Sequence, residues 1–448
     1  MDLIGNDCLK EIFLYSEHKD LINWRLVCKK FNHIIDNLQF PPTDIYTCCE
    51  KGYYLILKKL INTPFNNNYA LIKACQNNHI PIVKILIKKE FFNTDALLCI
   101  ASEQGNLKLL KLLIESTYIN NSSALYHACY NQHLDVVDYL LKFKFFDVNF
   151  GLFGACKIGN MDLVMLMKIY GANNWNIAFM YACKSDNLEL IKFIHNLCDY
   201  LNYTEALCQA CSSGNINIVR YLIENYKDKI DWQDVVATTA GLGNMELLIF
   251  ISRYVNQNIS WNHILDKACF SGNLDLVKFI DNKGCDNYNF LFNACLSGNI
   301  DVVNYLINKG ANNFDDGLNG ACAKGDINLI NLMISYGASD FDSALITACN
   351  HDNFDVVKLM IDKGAKTITS VLNIYSLRYN SLEKIKYLIK CQNRQYDLTQ
   401  CILNAYNVGN YDLLDYYFSI SKYDLPDMLT YAKLRKDDNL IKLILKHM

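Results

Sequence analysis

The sequence predicts an all-α fold: a helical solenoid of about fifteen short repeats of about 27 residues, preceded by a small helical domain. Three observations carry that prediction. A ten-residue signature recurs, as ACKIGNMDLV from Ala155, ACSSGNINIV from Ala210, ACFSGNLDLV from Ala268 and ACLSGNIDVV from Ala294. Weaker copies start at Ala74, Ala128, Ala182 and Ala348. With the small first residue as marker, copies begin at 48, 74, 101, 128, 155, 182, 210, 239, 268, 294, 321, 348, 376, 405 and 432, spaced 26 to 29 apart. The first forty residues follow a different pattern. Finally, 51% of residues are apolar and 20% charged, enough to build a core and too few charges for disorder.

Each part of the repeat has a physical reason. Leucine stands three before the marker in most copies (Leu71, Leu98, Leu125, Leu152, Leu207, Leu265, Leu291, Leu345), so both lie on one face of a first helix. The small marker lets stacked helices approach closely. Four residues on stands Gly52, Gly105, Gly159, Gly214, Gly243, Gly272, Gly298, Gly325 or Gly409, with Asn78, Asp186, Asp352 and Asn380 as substitutes. These residue types accept the left-handed conformation that stops a helix. Next comes an Asn suited to cap a second helix, such as Asn106, Asn160, Asn187 or Asn273. Acids two residues later (Asp162, Asp301, Asp355) suit that helix's positive end. Apolar pairs such as Val302-Val303 and Leu306-Ile307 make its buried face, and Gly171, Gly310, Gly337 or Gly364 ends it.

The pattern L-x-x-A-[AC]-x-x-G-[NH]-x-[DE]-[VL]-V-x-x-L-I-x-x-G-A resembles the ankyrin repeat, over about nine tenths of the chain. The family's period is about 33; the shorter one here leaves out about six residues of its projecting β-hairpin. The T-P-L-H tetrapeptide keeps only its Leu. The resemblance therefore implies an ankyrin-type solenoid with a compact turn between repeats. Short repeats with asparagine-rich loops resemble the ankyrin proteins of giant amoebal DNA viruses of the mimivirus type.

In the first forty residues, Leu9, Ile12 and Phe13 share one helical face, Leu26, Val27 and Phe31 another, and Asp20 can cap between them. With Asp20-Leu21 and Val27-Cys28-Lys29, this segment resembles an F-box, with Gly5 where that family has Pro and Phe31 where Trp is commoner. The domain reading is 1–42 for the F-box-like domain and 43–448 for the solenoid. Repeats diverge from about residue 366, and the last, with Lys433, Arg435, Lys436, Asp437 and Asp438, serves as a cap.

Composition excludes several functions. Lys+Arg number 43 against 46 Asp+Glu, a net charge of -3 that argues against nucleic acid as partner. No long basic run is visible, no apolar stretch reaches the roughly 18 residues of a membrane span, and no secretory signal opens the chain. A cytoplasmic location follows, the host cytoplasm if the source is viral, with reduced thiols. The nineteen cysteines are read as packing residues, ten of them beside the marker. Cys208 and Cys211 form a lone CxxC without a second pair, so no metal or cofactor is expected. His79 and His133 take the turn position. Trp175, Tyr203, Trp232, Trp261, Phe314 and Phe341 stand seven before a marker, in the connecting loop, and are read as repeated packing, with a recognition stripe as the other reading. No phosphate loop, nucleophile–base grouping or out-of-register polar cluster points to an enzyme.

The resemblances imply a monomeric protein-binding scaffold. An F-box implies docking on a Skp-family adaptor of a cullin-RING ubiquitin ligase through residues 1–40, with Ile4, Leu9, Ile12, Phe13, Leu21, Val27 and Phe31 as the contact. The solenoid would hold an unknown target protein. The alternative is a scaffold or decoy for a host or viral protein with no ubiquitin connection, its first forty residues capping the first repeat.

Overall fold

The structure is a computed structural model that describes residues 45–448 except 62–64, 66, 89–91, 93, 117–121, 199, 256–258, 379–380, 392–396, 422–424 and 436. Among the described residues, thirty α-helices succeed one another as fifteen antiparallel-type pairs, with a 3-10 turn at Lys227–Lys229 and no strand. The fold is an all-α ankyrin-type repeat solenoid. The chain packs as two units. One holds the described residues up to 151 with those in 376–382 and 395–448; the other holds 152–375 with the described part of 383–394.

One repeat of the second unit shows how the sequence builds the pair. Helix Phe314–Lys324 buries Leu318, Ala321 and Cys322 on one face. Gly325 then turns the chain at φ 81°, a conformation costly for residues with a Cβ. The Ala321 carbonyl accepts the N–H groups of Gly325 (2.9 Å) and Asp326 (3.1 Å), so the marker supplies the acceptor for the turn as well as a small surface. Asp326 caps helix Ile327–Ser335 by accepting from the Asn328 and Leu329 N–H groups. That helix buries Leu329, Ile330 and Met333. It closes with Ala338 N–H on the Met333 carbonyl (3.1 Å) and Gly337 N–H on the Ile334 carbonyl (3.0 Å), the paired bonds of a Schellman end.

Burial follows the sequence pattern. Each of the eight in-register leucines is wholly buried, as are Ala74, Ala128, Ala155, Ala210, Ala268, Ala294, Ala321 and Ala348. The first helices of several successive pairs pack closely, as Thr94–Glu103 with Ser123–Tyr130 and Trp232–Gly241 with Trp261–Ser271. Their closeness is sharpest between helices Leu291–Ser297 and Phe314–Lys324, where a Cβ added at Gly320 would overlap the Phe292 carbonyl oxygen.

Two expectations need correction, and one turn residue was not foreseen. Asp186 does not take the left-handed turn; among non-glycine described residues that conformation belongs to Asn78, Gln132 and Asp352. At 183–187 the chain uses Ser185 instead, its hydroxyl donating to the Ala182 carbonyl at 2.7 Å and accepting from Asn187 N–H at 3.3 Å. Gln132 fills the turn position without being a residue type that favours it, so the fold imposes φ 59° there. The six in-register aromatics are the first residues of their helices rather than loop residues, because the residue before each (Asn174, Asn202, Asp231, Ser260, Asn313 or Asp340) is the N-cap at which the helix starts.

Candidate interaction surface

The adaptor-contact residues expected from sequence (Ile4, Leu9, Ile12, Phe13, Leu21, Val27 and Phe31) lie outside the described residues. The described part of the candidate surface is therefore the repeat array, built from two seams, a set of thiols, a charged cluster and a basic groove.

The first seam uses the cap asparagines twice. The Asn187 amide oxygen accepts from Leu190 N–H (3.0 Å) while its Nδ2 donates to the Gly159 carbonyl one repeat back (2.9 Å). Asn273 does the same to Leu276 (3.1 Å) and Gly243 (3.1 Å). Asn299 donates to Gly272 (2.7 Å); Asn353, which makes no side-chain cap bond, donates to Cys322 (3.0 Å) and Ala323 (2.8 Å). His79 and His133 replace the staple but not the cap, placing Nε2 at 3.1 Å from the Glu50 carbonyl and 2.9 Å from the Glu103 carbonyl. A carbonyl only accepts, so Nε2 carries the proton in both.

The second seam joins the loops. Asn176 accepts from Asn202 N–H (2.9 Å), Thr204 from Asp231 N–H (2.8 Å), Gln233 from Ser260 N–H (2.7 Å), and Asp315 from Asp340 N–H (2.9 Å). Each acceptor is the second residue of a first helix, and each donor lies in the next repeat's loop. Side-chain acceptors thus do the work that strand pairing would do in a longer hairpin. At Asp342 the Lys366 and Thr367 N–H groups and the Thr367 hydroxyl hold the carboxyl below its ordinary pKa against partial desolvation.

The aromatics are packing residues in this geometry. Trp232 and Tyr203 are buried, Trp175, Trp261, Phe314 and Phe341 half-buried. Tyr203 stacks on Tyr226 (4.3 Å between centroids) and Phe314 on Tyr336 (5.2 Å). The in-register thiols are buried as well, and burial pushes Cys75, Cys129, Cys211, Cys295 and Cys322 up to about 12 and Cys156, Cys183 and Cys269 higher still. Such thiols are poor nucleophiles and poor ligands. Among the described residues no group of three or more His, Cys, Asp or Glu is placed to hold a metal.

One polar cluster escaped the sequence reading. Asp281, with a side chain only 5% exposed, accepts from Lys309 Nζ (2.6 Å), Tyr305 OH (2.6 Å) and Tyr288 OH (2.7 Å). Burial alone would raise its pKa; the three donors outweigh that and hold it below the usual carboxylate range. Tyr288, hydrogen-bonded to that carboxylate, is pushed up to about 12. Lys309 also lies over the Tyr288 (5.5 Å) and Tyr305 (5.4 Å) rings. Every partner is satisfied, so the cluster locks two repeats together and offers no reacting group. The expectation of no out-of-register polar cluster thus fails here, because residues 281, 288, 305 and 309 meet only when helices Leu274–Asp281 and Ile300–Asn308 stack.

The groove lies on second helices of the first unit. Tyr54, Ile80, Pro81, Ile85, Lys84, Lys88 and Lys108 line an open space of about 630 Å³. They come from helices Tyr54–Leu60, Ile80–Leu86 and Leu107–Ser116, together with Lys88 just beyond the second of these. Sequence reasoning missed it because the lysines are dispersed singly or in pairs. The available signal was local composition: residues 51–111 hold nine lysines and three acids in a chain of net charge -3. No helix of the described residues is long and apolar enough to cross a membrane.

Comparison with known proteins agrees with this construction. The ankyrin-repeat model matches residues 45–121, 90–151, 152–234 and 318–400, a single-repeat ankyrin model matches 286–314, and the F-box domain model matches 2–43. Both kinds of domain are non-catalytic interaction modules. No curated protein matches the chain. A solved structure described as a circular tandem repeat protein with novel repeat topology and enhanced subunit contact surfaces aligns at 14% identity over 99% of this chain and 95% of its own. Its TM-score of 0.11 is too low to bear on the fold. With the repeat model matching more than half its length and fifteen helix pairs built on that pattern, the chain belongs to the ankyrin-repeat family.

Proposed function

We propose that this protein is the substrate receptor of a Skp-cullin-F-box ubiquitin ligase, a scaffold that binds an adaptor at one end and a target on its repeats. The observation that carries the reading is the union in one chain of an F-box match at 2–43 and ankyrin repeats from 45 onward. The F-box-like segment supplies the adaptor contact, through Ile4, Leu9, Ile12, Phe13, Leu21, Val27 and Phe31, the apolar positions of its motif. The repeats supply a target surface made rigid by the two side-chain seams. Tethering then raises the effective concentration of the target at the ubiquitin-charged enzyme, and the chemistry belongs to the partners. We read the chain as a monomer acting in the cytoplasm. The 27-residue period and the abundant asparagine support a giant-virus source, and with it a host adaptor.

The test is a binding titration of the full chain against a purified Skp-family adaptor, beside a Phe13→Ala, Val27→Ala variant whose helices are checked by circular dichroism. Micromolar or tighter binding, weakened at least about tenfold in the variant, is the expected result for apolar anchors of an interface. No binding by the folded wild type would leave the protein a binding scaffold without a ligase connection.

A further inference from the structure

The groove on the first three second helices gathers exposed lysines around apolar side chains. Lys84, Lys88 and Lys108 are exposed, and among the described residues none of the three is in an ion pair. Some half-buried lysines elsewhere, such as Lys358 with Asp355 and Lys386 with Glu383, pair with acids on their own helix. Tyr54, Ile85 and Pro81, all half-buried, give the same groove an apolar floor. Lys58 sits over the Tyr54 ring at 5.6 Å, adding a fourth positive charge at one edge.

We propose that this groove is a docking site for an acidic peptide segment of a partner protein. Its carboxylates would pair with Lys84, Lys88 and Lys108, and an apolar side chain between them would rest on Tyr54, Pro81 and Ile85. Charge complementarity decides the class of partner. Uncompensated positive charge around an apolar floor selects alternating acidic and apolar groups and disfavours cationic segments. Lysines are point charges without the planar fork that grips phosphates in pairs, and three or four are few for a polyanion. A floor recessed between helices suits a peptide side chain better than a flat bilayer. The proposal needs only the repeats and stands or falls separately from adaptor binding.

The experiment uses the full chain and a labelled peptide of about ten residues, eight glutamates around one leucine and one phenylalanine. Arms with anionic phosphatidylserine vesicles and with duplex DNA separate the other polyanions. The expected result is micromolar binding of the peptide that weakens as salt rises from roughly 50 to roughly 300 mM. The Lys84→Glu, Lys88→Glu, Lys108→Glu variant should weaken it at least about tenfold. The same charge change at the exposed Lys227, Lys229 and Lys363 should alter it less than about twofold. Ile85→Ser should weaken it about threefold without changing the salt dependence. Circular dichroism checks each variant for folding. Equal loss in the two charge-reversal variants, undiminished binding in the first, or binding of vesicles or duplex but not of peptide would each overturn the proposal.

Discussion

Asn187 ties its own helix to the Gly159 carbonyl of the preceding repeat: one amide caps with its oxygen and staples with its nitrogen. A hydroxyl donates and accepts from one atom; the amide places acceptor and donor on two atoms that can face different neighbours, and Asn is short enough to cap. This explains why the repeat prefers Asn over the Ser, Thr or Asp that caps equally well. Where Asp326 stands instead, the cap survives and no staple forms from that side chain.

Asn187→Asp should therefore separate the two roles. It keeps the acceptor and turns the donor into a carboxylate oxygen facing a carbonyl. A loss of about 1 to 1.5 kcal/mol is expected, against about 2 for Asn187→Ala, which removes both. Denaturant unfolding with hydrogen exchange at the repeats on either side measures it. An Asp variant as stable as wild type would show that the staple contributes nothing.

Gly320→Ala should destabilise the protein although Ala favours helices. The added methyl would meet the Phe292 carbonyl oxygen, a backbone atom that cannot step aside. The helices must separate, at about 1 to 3 kcal/mol. A control at Gly241, where a Cβ has ordinary contacts at 3.8 Å and beyond, should gain a few tenths of a kcal/mol or stay level.

Thiol labelling should discriminate sharply. Cys75 and Cys129, pushed up to about 12 by burial, stay protonated and covered at pH 8. The exposed Cys391 should react within the mixing time of a mild labelling experiment read by peptide mass spectrometry. Cys129→Ala should leave the protein folded, at about 1 kcal/mol or less. Rapid native labelling of Cys129 would show that the repeats open easily there.

Asp281 sets an acid limit. Its native pKa lies below the unfolded value, so its stabilisation is complete above the unfolded pKa of about 4 and disappears as pH falls through the native pKa. Asp281→Ala, which removes the acceptor of Tyr305 and Lys309 while Tyr288 keeps the Cys285 carbonyl at 3.0 Å, should cost about 1 to 2 kcal/mol at pH 7. The gap between wild type and variant should narrow below about pH 4. A gap constant from pH 7 to 3 would mean that the carboxylate charge is not what the cluster uses.

The sequence by itself determined the period, the two helices of each repeat and the residues that face inward. Leu345, Ala348 and Cys349 are buried where the pattern places them, because helical periodicity and the left-handed turn act within about a dozen residues. What only the tertiary structure decided acts between repeats. The Asn187 staple spans 28 residues, the Tyr305–Asp281 bond 24, and the Lys84–Lys108 groove joins helices of successive repeats. Such contacts depend on how one pair is translated and rotated onto the next, and a periodic pattern is blind to that. Local conformation is written in neighbouring residues; the surface a partner meets is made where distant ones are stacked together.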